Sequence, residues 1–468
     1  MSTKVNVKRF LALYLPWGLA TLLQSDPVLS YFIAWAGSFF IFFITLSGWI
    51  VPLPTDLSLG GQLMRPIFLV HIIFAGYTCC TSIFYFFDLL GYQQFSRIND
   101  YYLPNAENLR ITSECQRYYC LGHAALASGI LCFMKYPVKH KYILRSEDIS
   151  NLLFYFAIIA LPVSVLFLKI PGLAQFANQF SSLSFIAGTL ALAFAIPKRK
   201  VINTIICLIL FFSNFYSALT SGFKEPIILS VLILGVFLYP NYKKIVLATF
   251  IPALLALFIL LPTFANVIRA NSWTGDTSAD EATQLALDAA IKGDEQTNDT
   301  NWSFFAYRLS EMDMFTKFVA TTPSKNDYYH EVLLKQSLWA VIPRLFWSGK
   351  PNTEDLVMQR VYDAEVVSPY AKVSAKPAFI VDAYLSFGGA GVWLFMFIYG
   401  AAAQLISLKA EQLFGGYLLG TALIFTGLFQ SFWRGLSLEF FINTIFWSYV
   451  SMLIIHRIFI SKKILEAD

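Results

Sequence analysis

The chain is a succession of apolar runs, each near 20 residues, divided by short polar breaks and interrupted once by a long polar interval. A helix of that length crosses a hydrocarbon core about 30 Å thick. Twelve runs can be drawn, at about 9–24, 28–50, 66–90, 118–134, 151–170, 179–196, 201–220, 226–240, 245–268, 379–408, 412–432 and 438–459. They are continuous and do not alternate with polar positions, which predicts membrane-crossing helices and argues against an outer-membrane barrel. The expected fold class is all-α, a polytopic transmembrane helix bundle of about 12 spans. The runs at 118–134 and 226–240 are short, which suits a span with little tilt or a partly re-entrant one.

The polar interval, residues 269–378, divides in two. Residues 274–300 are small and polar, with seven acids (Asp276, Asp280, Glu281, Asp288, Asp294, Glu295 and Asp299) against Lys292. A mobile acidic flap is expected there. Residues 301–378 are richer in aromatic side chains and balanced in charge, with helical spacing, and predict a small folded cap. Helices one to nine then occupy 1–268, and helices ten to twelve occupy 379–468.

Lys and Arg set the orientation. With the N-terminus inside, 17 of them fall at inner ends and six in short outer loops. The other 11 lie in the long loop, which the positive-inside rule does not weigh. Both termini are therefore expected in the cytoplasm, with the cap outside. Lys4, Lys8 and Arg9 before an apolar run resemble a signal peptide, but no small-residue cleavage site follows. Gln24-Ser25-Asp26-Pro27 reads as a turn, so the first helix is expected to be retained.

Composition sharpens this picture. The chain of 468 residues is 57% hydrophobic and 13% charged, with mean hydropathy +0.59, whereas a soluble domain carries about 25% charged residues. The net charge of +5 sits mostly in short loops and does not point to nucleic acid. Cys79, Cys80, Cys115, Cys120, Cys132 and Cys207 fall mostly in apolar runs, without metal or disulfide spacing, and read as packing residues. Walker, Gly-rich nucleotide and Gly-x-Ser-x-Gly motifs are missing, so pumps and serine hydrolases have no support; neither a metal nor another cofactor is expected. No internal repeat is evident, which speaks against an inverted-repeat transporter.

The candidate chemistry is cationic. Ile342-Pro343-Arg344 ends a helical segment, and Trp347 and Lys350-Pro351 follow. Arginine grips phosphate with a bidentate fork and lysine acts as a point charge. Arg344 and Lys350 therefore either bind an anionic lipid headgroup or stabilise the cap. Arg308 either joins them or pairs with Glu311 three residues on. Lys224, in Ser221-Gly222-Phe223-Lys224-Glu225-Pro226, either binds an anion or snorkels from a span end. Arg434, after Trp433, is a ligand cation or an interfacial anchor. Candidate bases are His330, on the long loop, and Asp382, just inside the tenth run, where a carboxylate is costly unless paired to an arginine or put to use. Glu225 and Glu439 are weaker choices. His71 and His123 fall inside apolar runs, and His71 reads as a satisfied polar group there. Tyr328, Tyr329, Trp339 and Trp347 offer faces for sugars.

Ile342-Pro343-Arg344 with Trp347 and Lys350-Pro351 resembles a stretch in the large periplasmic loop of bacterial oligosaccharide repeat-unit polymerases, the Wzy-like O-antigen polymerases. Ser221-Gly222-Phe223-Lys224 is similar to that family's Ser-Gly-x-Arg cap, with lysine for arginine. Tyr384-Leu385-Ser386-Phe387-Gly388-Gly389-Ala390-Gly391 resembles its aromatic-Gly-x-x-Gly segment, and Trp433-Arg434-Gly435 its late Arg-Gly. The likeness covers about 220–435; the first half matches only in hydropathy. It implies a metal-independent glycosyltransferase in the bacterial inner membrane, with its active face outward. The substrate would be an undecaprenyl-pyrophosphate-linked oligosaccharide, and the partners a flippase and a chain-length regulator. Arg344, Arg308, Lys224, Lys350 and Arg434 would face the pyrophosphate, and His330 or Asp382 would take the acceptor's proton. An O-antigen ligase, a transporter of lipid-linked glycan and a non-catalytic assembly protein are the competing readings.

Overall fold

The computed structural model describes residues 7–145, 149–170, 176–220, 224–272, 278–292, 295–370 and 374–468. Helices dominate, and one stands at each of the twelve apolar runs. α1 (Val7–Leu22) and α2 (Pro27–Leu46) form a hairpin. Its turn follows from Asp26, whose carboxylate accepts the Leu29 N–H, and from Pro27 in the first helical turn. α3 (Leu69–Leu89) contains a π-helical turn at Phe74–Cys80. α4 (Ala106–Phe133) starts at Asn105, which accepts from the Glu107 and Asn108 N–H groups. α5 (Ile149–Lys169), α6 (Ala177–Ala195) and α7 (Val201–Thr220) follow. α8 (Lys224–Ser272) is one long helix broken at Tyr242, two residues after Pro240, so two expected runs share one interrupted element.

The long interval is more ordered than its composition suggests. The residues expected to form a flap include two helices, α9 (Ala279–Lys292) and α10 (Glu295–Phe304). Ala282, Ala286 and Ala290 recur at four-residue spacing and bury one face of α9 in a cluster with Leu261, Phe264 and Ile268 of α8. Small side chains that read as loop-like are what lets the two helices approach. Asp280 and Glu281 in the first turn and Lys292 in the last oppose the helix dipole. α11 (Met312–Thr321), α12 (Val332–Val341) and α13 (Thr353–Asp363) build the cap. The chain returns through α14 (Phe379–Leu413), α15 (Leu418–Leu428), the short α16 (Ser431–Arg434) and α17 (Leu438–Ser461).

Among the described residues, six stretches are long and apolar enough to cross a membrane: α2, α3, α5, Ser230–Ile268 within α8, α14 and α17. At the centre α4 lies backbone to backbone against α14. A Cβ on Gly129 would stand 2.1 Å from the Phe397 carbonyl oxygen, and one on Gly400 2.2 Å from that of Leu126. Between apolar helices, where lipid competes for side-chain contact, small residues allow the close approach that holds a pair together.

The two ends of the bundle differ. At one, β1 (Tyr142–Leu144) pairs antiparallel with β2 (Leu465–Ala467). There Arg65, fully buried, is clamped by Glu411 (Nε–Oε1 3.0 Å) and Asp56 (Nη2–Oδ2 2.6 Å), with Tyr136 stacked 3.7 Å from its guanidinium carbon. At the other end sits the cap. Tyr119 of α4 donates to the Ser310 carbonyl, and Trp302 of α10 donates to Asp88 of α3. We expect Gly400→Val to force α4 and α14 apart and cost about 1–3 kcal/mol. Thermal unfolding in detergent would show the loss, and an unchanged midpoint would contradict the close packing.

Candidate functional site

The cap is fastened to the bundle by one buried cation. Val357, Met358 and Val361 make one face of α13 apolar, and Arg360 sits on that same face. Its Nη1 donates to Glu439 Oε1 at 2.7 Å and its Nη2 to Glu439 Oε2 at 2.8 Å and to Asp382 Oδ2 at 3.0 Å. All three residues are at most 2% exposed. Asp382 Oδ2 also accepts the Leu438 N–H at 2.7 Å. The Phe379 N–H donates to the Gly435 carbonyl, so the start of α14 is tied to the α16–α17 joint. Burial alone would lower the Arg360 pKa; the Asp382 and Glu439 carboxylates more than offset it and raise it. Arg360 Nε, Asp382 Oδ1 and Ser437 Oγ remain without a hydrogen-bond partner among the described residues. Of the two readings of Asp382, the structure shows pairing to an arginine.

One turn further along, α14 breaks. Phe387 (φ −148, ψ 27) and Gly388 (φ 59, ψ −142) leave helical geometry. The Leu385 and Ser386 carbonyls instead accept the Tyr329 and His330 N–H groups of the cap, at 2.9 and 3.1 Å. Only glycine is at ease with the backbone of residue 388, and the Tyr328 hydroxyl comes within 3.0 Å of where a Cβ would stand. An aromatic cluster surrounds the break. Tyr118 of α4 lies 5.0 Å from Tyr384, Tyr328 lies 5.9 Å from Tyr384, and His330 lies 5.5 Å from Phe387. The Tyr118 hydroxyl donates to Glu114 Oε1 at 3.0 Å, and Arg110 approaches the other oxygen at 3.3 Å. His330 is exposed and holds φ at 47, a strained conformation of the kind that collects at working sites.

A cleft of ≈ 190 Å³ opens at the cap end between α6, α7, α8 and the α16 segment. Ser182, Asn214, Ser230, Gln430 and Arg434 supply its polar lining, and Phe185 and Ile233 its apolar side. Ser182 Oγ donates to Gln430 Oε1 at 3.1 Å. Among the described lining residues, Arg434 is the cation, set in a wall of hydroxyls and amides.

The other sequence candidates are dispersed. The Lys350 ammonium donates to the Ala340 and Ile342 carbonyls, both at 2.8 Å, and caps the end of α12. Burial lowers its pKa, and Arg344 lowers it further. Arg344 is exposed on the turn it shares with Leu345 and Phe346, also exposed. Trp447 of α17 donates to the Val341 carbonyl, which puts that turn beside α17 about two and a half turns below its start. Trp339 and Trp347 pack edge to face, 6.2 Å apart. Arg308 is exposed in a π-helical turn, Phe305–Leu309. Ser221-Gly222-Phe223 and the Lys224 side chain lie outside the described residues. His71 and His123 pair with each other through Nε2 atoms 2.8 Å apart, which satisfies one nitrogen of each ring.

Arg360, Tyr118 and Glu114 escaped the sequence reading. An arginine among valines and methionine on one helix face was the available signal for Arg360; Tyr118 and Glu114 offered none.

The fold and site define a predominantly helical protein with helices fit to cross a membrane and a cap locked over one end. Residues 15–467 match a domain family of unknown function, DUF8712, and the chain belongs to that family. No curated protein and no solved structure matches it.

Arg360→Met would leave two carboxylates facing each other out of water. Breaking a buried pair in this way costs about 3–5 kcal/mol. We expect a correspondingly lower unfolding midpoint, restored in part when Asp382→Asn and Glu439→Gln are added. An Arg360→Met protein as stable as the parent would mean that the triad does not hold the cap.

Proposed function

We propose that the chain is a membrane-embedded glycan transferase that polymerises lipid-pyrophosphate-linked repeat units at the outer face. The observation that carries this reading is the cap-end cleft with Arg434. A pyrophosphate needs a cation and N–H or O–H donors, and its polyprenyl tail needs an apolar flank. The cleft offers both kinds of lining. The resemblance of the Ile342-Pro343-Arg344 and Trp433-Arg434-Gly435 stretches to the repeat-unit polymerases supplies the substrate class.

The proposed topology has twelve spans, with both termini inside. In its support, the residues that alternation puts at outer ends gather in one region: Ser182, Asn214, Ser230 and Arg434 line one cleft. Those assigned to inner ends gather at the other, where Arg65 meets Glu411 and β1 meets β2.

In this reading the acceptor hydroxyl forms the new bond to the anomeric carbon while the bond from that carbon to the lipid pyrophosphate breaks. The pyrophosphate leaves with the electron pair, facing Arg434, and His330 takes the hydroxyl proton. Asp382, held by Arg360, keeps the α14 start and the α16–α17 joint in register and is a positioning residue. Tyr328 and Trp339 present faces to the glycan, and Arg344 stands at the lipid boundary. Arg308 and Lys224 remain binding candidates.

A carrier without chemistry takes its support from the broken α14, since transporters place helix breaks at the membrane midplane. Here the break falls about 12 Å from the start of the helix, which suits a boundary site better.

Arg434→Ala should shorten surface polymer to one or a few repeats, with the protein still abundant in membranes. His330→Gln should do so more mildly, by about 10²-fold or more in rate. Gel analysis of the polymer reads both. Full-length polymer from an abundant Arg434→Ala protein would overturn the reading, and loss of all externalised repeats would favour the carrier.

A further inference from the structure

The end of the bundle opposite the cap holds a cavity that the transferase reading does not use. It has a volume of ≈ 340 Å³ and lies between the segment after α4 and the end of α14. Lys135 and Lys139 line it from the first, and Leu405, Leu408, Lys409 and Gln412 from the second. No acidic side chain is among the described residues that line it. The nearest carboxylate in sequence, Glu411, is taken by Arg65 and by the Thr421 hydroxyl. Lys409 donates to Gln412 Oε1 at 3.5 Å, a long bond to a neutral partner. Three lysines thus line one open hollow, Lys135 and Lys139 exposed and Lys409 half-buried, where an anion would find a positive lining.

A second, independent feature leads into the same place. Leu394, Ile398 and Leu405 are exposed along α14, at spacings of four and seven residues, and so form a single stripe. α14 is among the helices long and apolar enough to cross a membrane. The stripe faces away from the packed core and runs towards Leu408 and Lys409. A phosphate in the cavity and an acyl chain along the stripe would belong to one molecule.

We propose that this cavity binds the phosphate of an anionic phospholipid, with Lys135, Lys139 and Lys409 as its ligands and the α14 stripe as its acyl track. Basic pockets between membrane helices on the Lys-rich side take such headgroups. Each lysine near the headgroup contributes about fivefold in affinity, so the three together contribute about a hundredfold.

The test uses the full chain in detergent, delipidated and titrated with phosphatidylglycerol or phosphatidylcholine, with bound lipid counted by native mass spectrometry. The expected result is tight binding of one phosphatidylglycerol and weak binding of phosphatidylcholine. Replacing Lys135, Lys139 and Lys409 by glutamine should weaken phosphatidylglycerol about a hundredfold. The same three changed to arginine should keep it. Lys462→Gln with Lys463→Gln, at the same end but outside the cavity, should leave it unchanged. Equal binding of the two lipids, full affinity in the glutamine variant, or equal loss in the Lys462/Lys463 control would overturn the proposal. Displacement of phosphatidylglycerol by glycerol phosphate at equal concentration would keep the anion site and overturn the lipid as its occupant.

Discussion

The Arg360 guanidinium, out of water between two carboxylates, is the constraint on which the cap-end arrangement depends. One side chain of α13 grips α17 through Glu439 and α14 through Asp382. Asp382 in turn caps the Leu438 N–H at the start of α17. Three elements from distant parts of the chain are therefore held at a single point. A buried pair of this kind contributes little net stability against an apolar substitute, because desolvation offsets much of the attraction. Its contribution is to register. It fixes where the cap sits, and with it the Tyr328–His330 segment over the break in α14 and the Gly435 turn beside Arg434.

The broken helix is the complement of that lock. A helix interrupted at Phe387 and Gly388 exposes carbonyls that hydrocarbon cannot satisfy. The main chain of the cap supplies the missing donors at Tyr329 and His330. Cap and helix thus complete each other's hydrogen bonding, and aromatic side chains from α4, the cap and α14 converge on the seam. An exposed histidine in a strained conformation, beside Tyr328 and Phe387, is where proton transfer and sugar stacking can meet in the proposed reaction.

Much of the helix pattern was legible in the sequence, because long apolar runs have few alternatives to a helix and their ends carry readable caps, as Asp26-Pro27 shows. Asp382 announced itself as a carboxylate in an apolar run. The flap was misread because Ala282, Ala286 and Ala290 look like loop residues by size, while their four-residue spacing makes a helix face. Arg360 carried one local signal, its place beside Val357, Met358 and Val361 on one helix face, but its pairing was not legible because its partners lie 22 and 79 positions away. Lys350 was read as a ligand, yet the helix end ten residues before it has carbonyls to satisfy, and its ammonium serves them. The cavity of Lys135, Lys139 and Lys409 was counted only as inner-side charge. Hydropathy gives the side of a lysine and says nothing of which others share its hollow.

The most direct measurement is reconstitution of the purified chain in vesicles with a lipid-pyrophosphate-linked repeat unit and no other protein. The account predicts a ladder of products growing by one repeat at a time, with lipid pyrophosphate released in equal number. Intact repeat units moved across the bilayer without any ladder, from a folded protein, would contradict it and identify a carrier instead.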